Sequence, residues 1–346
     1  SRQSAVGSRQ SAVGSRQSAV GSRQSAVGSR QSAVGSRQSA VGSGQSAVGS
    51  VRSGGFVYIC DRKNLLPFMP IIETLHLFPE LAKSLAGLLK MLSPDDWEKP
   101  SPIPGRKVKD LVSHLIDGSL RRLSMQRDGF FDPRLKPEKD TYKDLVIFIQ
   151  LLNSIWMSAT SRLSPRILIG MLEDAENELY NFFETLNPDE PAFFPVAWAG
   201  ETKSHNWFDI AREYTEKWHH QMQIRMALGE PLLMDEKYLI PLYETFMKGI
   251  PYLFREINYY PEGAAVKLSI TGACERGWTF VKTPSGWKLT ESQADKPAAV
   301  VKIPADTAWV IWTNTDRDKE KYFDRFIISG DKKPGVLLRD YVTVMS

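Results

Sequence analysis

LSPDDWEKPSPIPGRKVKDLVSHL, residues 92–115, decides how the rest of the chain is read. It opens at the end of an apolar-striped segment. It then breaks at Pro94, Pro100, Pro102, Pro104 and Gly105, and returns to a helical pattern at Lys107. Proline and glycine at that density stop regular structure, so two helices joined by a proline-rich loop are expected. Upstream, ETLHLFPELAKSLAGLLKML places Leu77, Leu81, Leu85, Leu88, Leu89 and Leu92 at three- and four-residue spacing, which makes one apolar helix face. Downstream, KVKDLVSHLIDGSLRRLSMQ turns Val108, Leu111, Leu115 and Ile116 inward.

The same periodicity predicts a third helix through DLVIFIQLLNSIWMSATSRL. A fourth is expected from Ser164-Pro165, a favoured cap and a tolerated first helical residue, to about Thr185. After a proline-rich loop from Asn187 to Gly200, Asn206 is expected to cap a last helix that ends at Gly229. Long helices with short connections make an antiparallel bundle of four to five members. Beyond it the pattern changes. AAVKLSITG (264–272), GWTFVKT (277–283), GWKLTES (286–292) and AAVVKIP (298–304) read as strands between Gly, Pro and Ser turns. DTAWVIWT (306–313) reads as a helix, and RFIISGD (325–331) as a further strand before a short helix. A smaller α+β domain is therefore expected over 231–346, after a bundle over 69–230.

The first 68 residues differ in kind. SRQSAVG occurs six times and is followed by SGQSAVG. A period of seven suggests a coiled coil, but each repeat offers one large apolar residue and contains glycine, so no seam forms. The tract is expected to be disordered. It also reads as a translated DNA repeat lying upstream of a natural start at Met69, and it receives no functional weight. It carries nine basic residues and one acid, leaving 35 basic and 39 acidic residues in the remainder. The folded part is mildly acidic, so no nucleic-acid partner is expected. Two cysteines, Cys60 and Cys274, make no disulfide framework and fit a reducing compartment, so a cytoplasmic location is expected. No run of 18 apolar residues suggests a membrane span.

Five histidines are present: His76, His114, His205, His219 and His220. Glu216 and His220 are four apart on the last helix and share a face. With His114 from the second helix they would offer two imidazole nitrogens and a carboxylate, leaving positions on a divalent ion open for water or substrate. The spacing also fits a plainer reading. On a helical wheel Glu216 and His220 fall with Asp209, Arg212, Glu213 and Gln223, an arc that is normally a solvent face. The opposite arc (Trp207, Ala211, Tyr214, Trp218) could dock the helix by itself. His219 points elsewhere by one residue. Trp97 and Trp218 read as core.

Residues 92–115 resemble the N-terminal signature of the mycothiol-dependent maleylpyruvate isomerase family. The shared features are a Ser-Pro-acid-acid-Trp turn, a loop with Pro-Gly, and a helix carrying Asp-Leu-Val-x-His-Leu. EKWHHQMQIRMALG (216–229) resembles the family's last bundle helix, and the C-terminal stretch resembles the sterol-carrier-protein-like domain that follows it. The resemblance implies a DinB-like bundle with a divalent metal, expected to be zinc, held by His114, Glu216 and His220. It also implies a low-molecular-weight thiol such as mycothiol or a bacillithiol-like compound, and a small-molecule substrate, an anionic electrophile among them. Two positions depart from the family's pattern. Gln223 stands where an Asp is frequent, which puts hydrogen bonding around the ligands in question. Arg106 stands where a Trp usually follows Pro-Gly.

The implied chemistry is isomerisation by reversible thiol addition, or thiol transfer onto an electrophile. The competing readings are a metal-dependent hydrolase on the same bundle and a non-catalytic binder of a small ligand. Arg121 and Arg276 are candidate cations for a substrate carboxylate. Gly-x-Gly-x-x-Gly, P-loop, Cys-x-x-Cys, Gly-x-Ser-x-Gly and His-Glu-x-x-His motifs are absent, which argues against nucleotide-dependent and serine-hydrolase chemistry. The oligomeric state is not legible.

Overall fold

The computed structural model describes residues 71–132, 134–139, 141–292 and 294–344. The heptapeptide repeats, Met69 and Cys60 therefore lie outside the described residues. The helices are α1 (Phe78–Leu89), α2 (Pro94–Trp97), α3 (Val108–Arg122), α4 (Tyr142–Thr160), α5 (Pro165–Glu184), α6 (Asn206–Leu228), α7 (Glu236–Met247) and α8 (Ile250–Leu253). The strands β1 (Ala265–Thr271), β2 (Arg276–Thr283), β3 (Gly286–Thr290) and β4 (Ala299–Pro304) follow. Then come α9 (Ala305–Trp312), β5 (Ile327–Gly330) and α10 (Lys333–Asp340). A helical region followed by a five-stranded α+β region is the architecture that the patterning predicts. No helix among the described residues is long and apolar enough to cross a membrane.

Local chemistry accounts for the boundaries. Ser164 caps α5, accepting from the Ile167 amide at 3.4 Å with Pro165 as first helical residue. Thr141 caps α4 in the same way through Asp144. Gly229 closes α6 at φ 74°, a left-handed conformation that suits glycine. The proline-rich stretch is more ordered than expected. Ser93 and Asp96 exchange hydrogen bonds in a capping box, so Ser-Pro-Asp-Asp-Trp forms α2, with Trp97 buried. α3 continues past Arg122 as one π-helical turn over Leu123–Arg127. The expected cap at Asn206 is corrected: His205 is the N-cap residue and makes no side-chain bond to the helix. Asn206 is instead the first helical residue, and its amide donates to the Asn187 carbonyl at 2.9 Å. It ties the preceding loop down rather than terminating the helix.

The sheet order is β3-β2-β1-β4-β5, with β1 parallel to β4 and the other pairs antiparallel. Alternate residues Val266, Leu268 and Ile270 of β1 and Val301 and Ile303 of β4 are fully buried, the period-two signature of a half-covered sheet. α9 packs over β1 and β4 and brings Trp309 and Trp312 into the core. Two apolar clusters result. The smaller joins α1, α2, α3 and the start of α5 around Trp97, Val112 and Leu168. The larger runs from Phe78 and Phe183 through Tyr214 and Trp218 of α6 to the sheet and α9. α6 thus lies between the other helices and the α+β region, and both of its sides are covered.

Candidate metal centre

His114 enters from the second turn of α3, and Glu216 and His220 from consecutive turns of α6. One ligand atom from each lies within 4.8 Å of the others. Among the described residues this is the one group of three or more His, Cys, Asp or Glu side chains that converges so. The His114 and His220 rings meet edge to face at 4.7 Å between centroids, and His220 Nε2 lies 3.5 Å from Glu216 Oε2. Ligands about 2.1 Å from a zinc ion stand at most about 4.2 Å apart. Side-chain movements of under an ångström would therefore close the set.

The donor chemistry suits a cation. Burial holds the His114 imidazole well below its ordinary pKa, and the neighbouring His220 adds to that, so a ring lone pair is free at neutral pH. Burial pushes the Glu216 carboxyl up, but the hydrogen bond with His220 and the adjoining His219 and His220 rings more than reverse it, leaving a carboxylate. His220 Nδ1 donates to Gln223 Oε1 at 2.7 Å, which orients the ring with its Nε2 toward Glu216. Gln223 in turn donates to Thr315 Oγ1 at 2.8 Å, and Thr315 is bonded to Thr313 just beyond α9. The departure at Gln223 therefore leaves the ligand with an acceptor partner. His219 is spent elsewhere: its Nδ1 donates to the Thr215 carbonyl at 2.7 Å, and burial lowers its pKa to about 3.

The wheel arc that read as a solvent face is buried at Asp209, Glu213 and Gln223 and half-buried at Arg212, Glu216 and His220. Arg122 of α3 donates to both carboxylate oxygens of Asp209, at 2.7 and 2.6 Å, and to Glu213 at 2.9 Å. Lys217 pairs with Glu176 of α5 at 2.6 Å and donates to Ser119 at 2.5 Å. Burial opposes ionisation of Asp209 and Glu213, yet the Arg122 charge holds both carboxyls below their ordinary range. These groups were missed as a site because their partners come from helices remote in sequence.

The three candidate ligands line a cavity of about 440 Å³. That is a small-molecule volume. Arg121 lines it, bonded to Asn153 at 3.1 Å and paired with Asp117 at 3.1 Å. Arg106 and Arg317 line it as well. Arg276 does not: it is paired with Glu244 at 2.8 Å. Trp97 and Trp218 are buried core residues.

Residues 78–225 match the family model described as the mycothiol maleylpyruvate isomerase N-terminal domain. Two solved structures are similar at 12% identity. A crystal structure of the mycothiol-dependent maleylpyruvate isomerase covers 72% of this chain and 91% of its own, with a TM-score of 0.45. A histidine-to-alanine mutant of that isomerase covers 75% and 93%, with a TM-score of 0.44. No curated protein matches the chain.

Proposed function

We propose, from the match of residues 78–225 to the mycothiol maleylpyruvate isomerase N-terminal domain, a divalent-metal-dependent enzyme that uses a low-molecular-weight thiol. His114, Glu216 and His220 hold one ion, with zinc favoured by the two imidazoles and one carboxylate. The observation that carries this reading is the convergence of those three ligand atoms within 4.8 Å at the wall of the 440 Å³ cavity. A bound cation supplies the positive charge that lowers a thiol's pKa, so that it attacks as thiolate.

The chain's own groups set up the rest. The sulfur adds to the electron-poor carbon of an activated C=C bond, and the π electrons move onto the conjugated carbonyl. The former double bond rotates, and expulsion of the thiolate restores it as the other isomer. With a substrate that carries a leaving group, the same attack ends in thiol transfer. Arg121 supplies positive charge at the cavity wall while Asn153 and Asp117 hold its guanidinium in place. Gln223 keeps His220 in one orientation.

The test is metal analysis of the full chain, wild type beside His114→Ala and His220→Ala. One zinc per chain is expected in the wild type and none in either variant, with circular dichroism unchanged. Equal metal content in all three would overturn the ligand set. Turnover of an activated alkene without added thiol would overturn the thiol requirement.

A further inference from the structure

The cavity wall opposite in character to the candidate ligands is a hydrocarbon stripe. Leu145, Phe148, Ile149 and Leu152 recur at three- and four-residue spacing along α4, and all four line the cavity. Each is only half-buried, unlike the fully covered apolar residues of α3 and α6. A helix face of that composition beside buried charges lacks a full covering partner among the described residues. A ligand with an apolar body would supply one.

The cavity's cations differ in how far their charge is answered. Arg121 faces Asp117, Arg122 faces Asp209 and Glu213, and Arg212 faces Asp209. Arg106 lines the cavity with no carboxylate within 4.0 Å among the described residues. Among the described residues its guanidinium makes one weak bond, from Nη2 to Ser154 Oγ at 3.3 Å. Ser154 lies two residues beyond Leu152, so α4 itself holds this cation beside the end of the stripe. Most of a guanidinium's five donors remain for a ligand. Arg317 also lacks a carboxylate partner among the described residues, but it comes from the loop after α9 and is exposed.

We infer that the electrophile is amphipathic: an aliphatic or aryl body lies along Leu145, Phe148, Ile149 and Leu152, and a single carboxylate or similar anion sits on Arg106. This rests on the proposed enzymatic reading and adds the class of substrate to it. Arg106 is then a specificity-determining residue supplied by the proline-rich loop. A small dianion would leave the α4 stripe uncovered.

Unreactive probes test it. Saturated straight-chain carboxylates from butanoate to decanoate, and the matching 1-alkanols, are titrated into the full chain by calorimetry, as purified and after chelation. Each added methylene is expected to tighten binding about threefold to fourfold until the cavity is filled. Arg106→Ala is expected to weaken octanoate roughly 10- to 100-fold, the range for a charged hydrogen bond, and octanol less than about twofold. Leu152→Asn is expected to flatten the chain-length dependence for both series. Absence of a chain-length dependence overturns the inference, as does an equal loss of octanoate and octanol in Arg106→Ala. Loss of octanoate in Arg317→Ala but not in Arg106→Ala also overturns it. The series in His114→Ala separates the two proposals: normal metal content there, with the chain-length dependence intact, sinks the metal centre and leaves the apolar subsite standing.

Discussion

The two faces of α6 are both covered and opposite in chemistry. Toward α7 and α9, Tyr214, Trp218 and Met222 are fully buried; Trp218 meets Trp309 edge to face at 5.3 Å and donates to the Leu233 carbonyl. Toward α3 and α5, Asp209, Glu213 and Lys217 are buried at 1%, 6% and 6% exposure, with their charges answered by Arg122 and Glu176. The first face is what folding favours, since burying an aromatic side chain contributes stability wherever it packs. The second is not, because each buried ion costs several kcal/mol of desolvation that its partner may only match. Arg212 and Glu213 of this layer interact electrostatically with Glu216, so the charged face bears on the candidate ligands as well as on the fold.

The largest effects should come from breaking each face in turn. Arg122→Ala leaves Asp209 and Glu213 buried without their cation and should cost about 3–5 kcal/mol in urea unfolding. Trp218→Ala opens a cavity against Trp309 and should cost a similar amount, about 3–5 kcal/mol. The faces are told apart by repair. Replacing Arg122 by Met together with Asp209→Leu and Glu213→Leu should restore most of the lost stability, because well-packed apolar residues often equal a buried ion cluster. That triple variant should still bind metal more weakly than wild type. If it bound metal as tightly, the charged layer would be irrelevant to the site.

Of the two faces, acid should act on the charged one. Asp209 and Glu213 have folded pKa values below their unfolded values of about 3.9 and 4.3. Their stabilisation is therefore complete above that range and is lost as pH falls through the folded values. Melting curves with chelator present should begin to fall below about pH 6.5, where unfolded histidines charge while His114 and His219 are held neutral, and should steepen below about pH 4 in the wild type. Asp209→Asn with Glu213→Gln should be less stable at pH 7 and should show a shallower fall. Parallel curves would mean that other carboxylates govern acid unfolding.

The contrast between the faces also marks what could be read from the sequence. Period and punctuation revealed α1, α3, α4, α5, α6 and every strand, because apolar spacing, Ser164-Pro165 and Gly229 are local signals. Spacing offered Glu216 and His220 as one face with His114 from another helix as a third group, and the resemblance implied the same set. What stayed hidden was long-range. A helical wheel sorts residues by polarity and assigns charged arcs to water; it cannot register that Arg122 and Glu176 arrive from other helices to cover them. Asn206 was misread because its amide serves a loop 19 residues back rather than the helix it begins. Arg106 carried a signal, as the wrong residue type for the family's loop, but that no carboxylate among the described residues answers it appears only in the folded chain.

The smallest effect tests the thinnest strand of that long-range wiring. Gln223 connects His220 Nδ1 to Thr315, 92 residues further along the chain, so the orientation of a candidate ligand depends on the loop after α9. Gln223→Leu removes the acceptor without adding charge, and partners of this kind are worth about 10- to 100-fold in metal affinity. Chelator competition should show zinc held that much more weakly, with the melting temperature of the metal-free protein little changed. Thr315→Val should produce part of the same loss from the other end, because the amide then lacks its anchor and can turn. Gln223→Glu, which keeps an acceptor oxygen, should recover most of the affinity. If Leu and Glu at this position behave alike, the link is packing. The polar face of α6 would then owe its order to Arg122 and Lys217 alone.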